Sequence, residues 1–263
     1  MGHPCVSVVT VCFNAVKTLQ GCIQSIRQQS YQVEHIVIDG GSSDGSRELL
    51  QAQQSGIARL VMEPDRGMYD ALNKGIGLAM GDVVGILHAD DFYAHGEVLA
   101  NVVRALEASG AESCYGDLEY VDFADASRVI RRWRAGGFRP EAFYWGWMPP
   151  HPTFFVRRSV YERFGNFRLD LGTAADYELM LRFLLKHRIS TTYIPEVLVR
   201  MRLGGKSTVS LGARLRANEM DRKAWHVNDL RPYPWTIPLK PLRKLPQFIR
   251  GRLLWRMLLN RGG

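Results

Sequence analysis

The sequence predicts an α/β fold: a Rossmann-like, mostly parallel sheet flanked by helices and followed by a helical basic tail. Three observations carry that expectation. Short β-branched runs alternate with helically spaced apolar stripes from Val6 to Leu106, as in sheets covered on both faces. Asn14, Asp39, Asp65, Asp90 and Asp91 fall at or just after the predicted strand ends, where parallel sheets bind ligands. The net charge of +8 is matched by eight basic residues, and no acidic one, beyond Asp229.

Val6 to Val11 reads as a buried strand, after which Leu19, Cys22, Ile23 and Ile26 recur at helical spacing. The pattern repeats. His35 to Ile38 makes a second strand, Gly40 to Gly45 a turn and Ser46 to Gln54 a helix. Arg59 to Met62 is a third strand, followed by the helical stripe Met68, Ala71, Leu72, Ile76 and Ala79. Val83 to Leu87 gives a fourth strand, and Val98, Leu99, Val102 and Leu106 another helix. From Ser113 to Trp133, extended segments interrupted at Gly116-Asp117 and at Asp122 to Ser127 predict a hairpin-like addition. Thr153 to Val156 reads as a strand, and Tyr177, Met180, Leu181 and Leu184 as an amphipathic helix opened by Asp176. Five prolines between residues 231 and 246 predict a linker without regular helix.

A hydrophobic content of 46% with 23% charged residues is that of a folded globular chain. No signal peptide is expected, because the apolar run from Val6 ends at Asn14, and no run is long enough to span a bilayer. Cys5, Cys12, Cys22 and Cys114 show neither CxxC spacing nor clustering with histidine, so reduced thiols in cytoplasm are expected instead of a zinc site or disulfides.

His88-Ala89-Asp90-Asp91 follows directly on an apolar strand, so two carboxylates are projected from the sheet's end. A divalent cation, Mg²⁺ or Mn²⁺, would neutralise them. A helix or turn cap is the equal alternative. Asp39 precedes Gly40-Gly41, where the backbone can approach a ligand closely; its carboxylate suits either a base N–H or an Asx-turn. The segment Glu63 to Gly75 places charged and amide groups, Arg66, Asn73 and Lys74 among them, at a helix entrance that can meet phosphate or simply be capped. His151 lies between prolines, in a stiff segment suited to a positioned ligand or an ordinary turn. Asp176 is either an N-cap or a general base.

Taken together, residues 5 to 210 resemble the family 2 glycosyltransferases, which have the GT-A fold, in a bacterial branch engaged in polysaccharide and glycolipid assembly. Val6 to Asn14 is similar to that family's first strand, whose end, here Thr10, Phe13 and Asn14, lines the base pocket. Asp39 matches the base-contacting aspartate and Gly40 to Gly45 the adjoining turn. The Glu63 to Gly75 segment resembles the one that helps hold the diphosphate and sugar. His88 to Asp91 aligns with the DxD-type metal motif, with His88 where many members have Asp, and Leu72 stands where many have an arginine. Asp176 matches the general base. The Gly204 to Ser207 segment resembles a flexible loop near the donor phosphates, where Lys206 can meet anionic charge.

The resemblance implies an inverting transfer from a nucleotide-diphosphate sugar, with UDP-sugars favoured, to a hydroxyl of a glycan or polyprenyl- or lipid-linked acceptor in cell-surface polysaccharide or glycolipid synthesis. Asp176 would be the base, and Asp90, Asp91 and His151 would meet Mn²⁺ or Mg²⁺. Residues 1–230 would form the GT-A domain, with 1–112 as its nucleotide-sugar half and 113–230 as its acceptor and catalytic half; 231–263 would be a proline-rich linker and basic apolar tail. Arginines interleave with Phe248, Ile249, Leu253, Leu254 and Trp255 in that tail, as expected of a segment at an anionic membrane surface or of a helix packed on the domain. Peripheral attachment at the inner face of the cell membrane, through residues 241–263, is the resulting expectation. Two competitors differ in class. A metal-dependent nucleotidyltransferase would need a glycine-rich, lysine-bearing phosphate loop that Thr10 to Lys17 does not supply. A nucleic-acid-binding module finds no helix-turn-helix, zinc-finger or RNP-like signature, and residues 1–229 are formally neutral, so no nucleic-acid partner is expected.

Overall fold

The computed structural model describes residues 5–203 and 211–243. Val6–Cys12 forms β1 with every side chain buried, which is why it reads as an apolar run and not as an alternation. Val16–Arg27 (α1) returns over it with Leu19, Cys22, Ile23 and Ile26 buried. Val33–Asp39 (β2), Ser46–Ala52 (α2), Arg59–Met62 (β3), Met68–Leu78 (α3) and Val83–Ile86 (β4) continue the alternation. The strands pair in parallel in the order β3-β2-β1-β4, and the register sets Cys12 opposite Asp39. Side chains alternate across β1, so Val9 and Val11 join the α3 side of the core while Val6 and Val8 pack with Cys22 and Ile26.

The second half is built differently. Asp91–Tyr93 (β5), Val98–Ser109 (α4), Ser113–Asp122 (β6), Val129–Trp133 (β7), Phe155–Arg157 (β8), Arg158–Phe164 (α5) and Ala175–Met180 (α6) precede the thirteen-residue strand Thr191–Leu203 (β9). Leu211–His226 (α7) and Thr236–Leu242 (α8) follow. Beyond β4 the sheet continues β8-β6-β9-β5, with β7 paired to β6. Of these ladders, β6–β9 is parallel and those of β4–β8, β6–β8, β5–β9 and β6–β7 are antiparallel. The expected hairpin is β6–β7, but Gly116-Asp117 does not interrupt β6. The register against β9 shifts there, and a Cβ at Gly116 would lie 2.5 Å from Leu198 Cγ.

The expected non-helical linker is corrected. Pro238 sits in the first turn of α8, where its missing N–H has no helical acceptor to lose. Pro241 lies inside the helix, and tertiary packing outweighs its cost: Ile237 is buried, Thr236 Oγ1 donates to Tyr144 O at 2.6 Å, and Lys240 meets Asp221 at 2.6 Å. Residues 204–210, which include Lys206, and 244–263 lie outside the described residues. Among the described residues no helix is long and apolar enough to cross a membrane.

Candidate active site

Asp39 closes β2 with its carboxylate fully buried. Oδ2 accepts the backbone N–H of Gly41 at 3.2 Å and of Ser42 at 3.1 Å, so the Asx-type turn is present. Oδ1 is buried with no hydrogen-bond partner. A buried acceptor of this kind is costly unless a donor arrives, so the turn occupies one oxygen of the carboxylate and the other is left for a donor. Asn14 leaves β1 in the left-handed region at φ 53° and accepts Ser43 N–H on Oδ1 at 2.9 Å, tying the two strand-end loops together. Phe13 stands 59% exposed beside it. Gly40 faces the Asp65 carboxylate so closely that a Cβ there would collide with it. Arg47, at the start of α2, points Nε to 4.0 Å from Asp39 Oδ2.

Thr10 is placed elsewhere. Its side chain is sealed in the sheet, with Oγ1 3.0 Å from His35 Nε2, so the expected base-pocket contact through Thr10 is corrected: the residue supports β1 against β2 from within. Burial, helped by Arg27, lowers the His35 pKa to about 4.

His88, Asp90 and Asp91 follow β4 and part company. Asp91 N–H bonds His88 O at 2.9 Å, and Asp91 then opens β5. Ala89 and Asp90 are the central residues of the turn that this bond closes, so Asp90 remains at the rim while Asp91, the first residue of β5, is buried. Asp91 is fully buried, with neither carboxylate oxygen partnered, and burial together with Asp90 raises its pKa well above the usual carboxylate range. The expectation of Asp91 as a supporting metal ligand is thereby corrected to a buried side chain. Asp90 is only half-buried; burial raises its pKa, and Arg202 opposes the rise. Arg202 Nη1 donates to Asp90 O at 2.9 Å and stacks on Phe92 at 4.5 Å.

His151 does not join Asp90. Its Nδ1 lies 3.3 Å from Asp176 Oδ2, and its ring stands edge-on to His88 with centroids 5.9 Å apart. Asp176 Oδ1 accepts the Tyr177 N–H at 2.8 Å, which leaves Oδ2 toward His151. Tyr69 approaches the same carboxylate, and burial with the Asp176 charge raises its pKa. Burial and the neighbouring His151 lower the His88 pKa to about 4, against the pull of Asp176. These four polar groups border a pocket otherwise walled by apolar side chains such as Leu72, Ile86, Phe154 and Met180. Among the described residues no group of three or more His, Cys, Asp or Glu side chains is placed to hold a metal ion by itself, and His151 is engaged with Asp176.

The helix-entrance residues divide in the same way. Asn73 is a clasp: Nδ2 donates to Phe167 O and Oδ1 accepts Phe167 N–H, both at 2.9 Å, so the expected phosphate contact by Asn73 is corrected to a link between α3 and the loop before α6. Arg66 is held by Asp70 at 3.0 Å and Lys74 by Glu63 at 2.8 Å. Exposed pairs of this kind are worth little and exchange readily for a phosphate. Sequence reasoning missed Arg47, Tyr69 and Arg202 at the site; for Arg202 the alternation Val197-Leu198-Val199-Arg200-Met201-Arg202 was the available strand signal.

Comparison with known proteins decides the family. The family described as Glycosyl transferase family 2 matches residues 7–165. The chain belongs to that family. It is 38% identical over 188 residues to an uncharacterized glycosyltransferase of Mycobacterium tuberculosis, covering 68% of each chain. It is 28% identical over 198 residues to a PGL/p-HBAD biosynthesis glycosyltransferase of Mycobacterium bovis, covering 74% of this chain and 75% of that one. Its fold is similar to that of S. aureus TarS solved with UDP-GlcNAc, at a TM-score of 0.69 and 15% identity, over 85% of this chain and 66% of that one, just under two thirds of its length. The mannosyltransferase PcManGT from Pyrobaculum calidifontis, solved with GDP-Man and Mn²⁺, matches at a TM-score of 0.61 and 19% identity, over 92% of this chain and 70% of that one. The GT-A architecture expected from the sequence is thus the fold of this glycosyltransferase.

Proposed function

We propose that this family 2 glycosyltransferase moves a sugar, with inversion, from a nucleoside-diphosphate donor to a hydroxyl of a glycan or lipid-linked acceptor, in cell-surface polysaccharide or glycolipid synthesis. The observation that carries the reading is the seam at the end of β4. There His88 stands between His151 and Asp176 on one pocket wall, and the chain runs on within two residues to the half-buried Asp90 carboxylate, while the unpartnered Asp39 Oδ1 lies at the end of β2 in the same parallel sheet. A UDP-sugar is favoured by the family resemblance; Asp39 Oδ1 would accept a ring N–H of uracil, as it would of guanine or thymine. Solved relatives in this fold carry UDP-GlcNAc in one case and GDP-Man with Mn²⁺ in the other.

In this mechanism Asp176 Oδ2 takes the proton of the acceptor hydroxyl. The oxygen forms a bond to the anomeric carbon as the bond from that carbon to the diphosphate oxygen breaks, and the nucleoside diphosphate leaves with the electron pair. His151 fixes the direction of Asp176 and partners the carboxylate after it is protonated. His88, neutral above pH about 4, adds no competing positive charge beside the base. Asp90 fits a hard divalent cation, Mn²⁺ or Mg²⁺, because such ions take one or two protein carboxylates and fill the other positions with phosphate and water. When bound, the cation would stabilise charge on the departing diphosphate. Arg202, which bonds the Asp90 backbone carbonyl, is the neighbouring cation for the same charge, and Lys74 and Arg66 lie on the segment that the resemblance assigns to the diphosphate. The Asp90 carboxylate, and not Asp91 or His151, is the protein ligand in this reading. Peripheral attachment at a membrane through the basic chain from residue 241 onward would bring a lipid-linked acceptor within reach.

The experiment is turnover of Asp176→Asn, scored with labelled donor and a membrane-lipid extract as acceptor. Loss of a positioned general base predicts a fall in kcat of about 10²- to 10⁴-fold, with nucleotide affinity unchanged. Wild-type turnover in this variant, or a product with retained anomeric configuration, contradicts the mechanism.

A further inference from the structure

Far from the strand ends, the fold holds large aromatic rings out in water. Trp145 is 49% exposed, Tyr233 48% and Trp235 43%. They form one face: Tyr233 and Trp235 centroids lie 5.0 Å apart, Trp145 and Trp235 5.8 Å, and Tyr144 and Tyr233 5.1 Å. The mount beneath is rigid. Tyr144 packs at 4.9 Å on the fully buried Trp225, whose Nε1 donates to Tyr177 O–H at 2.9 Å. Gly146 takes φ 77° against the backbone of α8, where a Cβ would come within 2.7 Å of Lys240 N. Pro232 and Pro234 stiffen the chain on either side of Tyr233.

Contiguous apolar surface of this kind on a folded protein marks an interaction site, and Trp and Tyr are the residues that settle where one side is apolar and the other wet. The charge beside the face selects the partner. Arg231, two residues before Tyr233, and Arg243, just after α8, are exposed, while Lys240 is engaged by Asp221. From α8 the sequence continues with Lys244, Arg250, Arg252, Arg256 and Arg261 and contains no acidic residue after Asp229. Aromatic insertion and a polybasic segment are each marginal alone, and together they hold a protein at a bilayer with anionic headgroups.

We propose that the Trp145–Tyr233–Trp235 face is a membrane-docking surface that seats the folded domain in the interfacial layer of an anionic bilayer. The inference deepens the attachment reading above. It places part of the contact on the catalytic domain itself, so that α6, which carries Asp176 and packs through Tyr177 against the same mount, has a fixed relation to the membrane.

The test uses the full chain and vesicles of phosphatidylcholine with or without phosphatidylglycerol. Three proteins are compared: wild type, the triple variant W145S/Y233S/W235S, and wild type lacking residues 244–263. The expected result is that the triple variant, with its basic chain intact, partitions about tenfold or more weakly onto anionic vesicles. Nucleotide-induced thermal shifts of the triple variant should match wild type. Vesicles with brominated acyl chains should quench wild-type tryptophan emission, and W145F and W235F should each reduce that quenching, a readout that holds even if the triple variant folds poorly. Wild-type partition of the triple variant, with binding lost only on removal of 244–263, overturns the docking face and leaves the attachment reading intact. No vesicle binding by wild type overturns both. Quenching confined to Trp255, or a response of Trp145 and Trp235 to soluble oligosaccharide in place of vesicles, also overturns the proposal.

Discussion

The two halves of the sheet place their functional side chains by different means. Between β1 and β4 the strands are parallel and adjacent, and each polar residue of interest is positioned by register: Asp39 lies opposite Cys12, and Asp90 follows the end of β4. Beyond β4 the ladders are mixed, and Asp176 is positioned by side chains that reach across the sequence, His151 at its Oδ2 and the Asn73–Phe167 clasp in front of its helix. A parallel sheet therefore presents a ready-made edge for a ligand, whereas the Asp176 carboxylate, the proposed base, depends on a few individual contacts. The first arrangement should fail by loss of the sheet and the second by loss of single partners.

The largest effect that can break this contrast is acid. The folded pKa of His35 is lowered to about 4 from 6.5, so the fold favours the neutral imidazole. Below 6.5 the unfolded chain binds a proton that the folded chain refuses until pH about 4. Stability from this group is thus complete above 6.5 and is lost as pH falls toward 4, by an amount on the order of 3 kcal/mol. Denaturant titrations of wild type and His35→Gln should differ in slope over that interval only. Hydrogen exchange should show β1 and β2 opening before β6 and β9, and simultaneous opening would erase the contrast.

Next is Asp39→Ala, which leaves the Gly41 and Ser42 N–H groups without their acceptor and removes the unpartnered Oδ1. Nucleotide affinity by calorimetry should weaken by about 30-fold, some 2 kcal/mol. Undiminished affinity would show that the turn is all that Asp39 serves. Asn73→Ala should be smaller: loss of two hydrogen bonds to Phe167 predicts about 1–2 kcal/mol of stability with nucleotide affinity retained. A variant with normal Tm and weakened nucleotide binding would return Asn73 to the phosphate site and blur the distinction.

The same division governs what could be read in advance. The parallel half was legible because buried strands are apolar runs and their ends expose the exceptions; the placement of Asp39 at the end of β2 and of Asp90 after β4 needed only that rule. Thr10 was misjudged because a hydroxyl within a fully buried strand can point to either face, and here it turns to His35. Asp91 followed its neighbour in sequence but not in space, since a turn at Ala89-Asp90 separates the rim carboxylate from the first residue of β5. Strands β5 and β9 and the helix α7 went unread. The pairing of β9 with β6, across some 80 positions of sequence, leaves no local pattern beyond a short alternation. Helix α8 formed despite its prolines because Thr236, Ile237 and Lys240 have partners that no local rule includes.

The central claim is that the edge of the parallel half holds a nucleoside diphosphate with a divalent cation at Asp90. Calorimetric titration of UDP, GDP and dTDP, each with and without Mn²⁺, into wild type and Asp90→Ala tests it most directly. The account predicts that one of the three binds wild type, that Mn²⁺ tightens that binding about tenfold or more, and that the Mn²⁺ effect vanishes in Asp90→Ala while metal-free affinity is kept. Binding of none of the three, or an equal Mn²⁺ effect in both proteins, would contradict it.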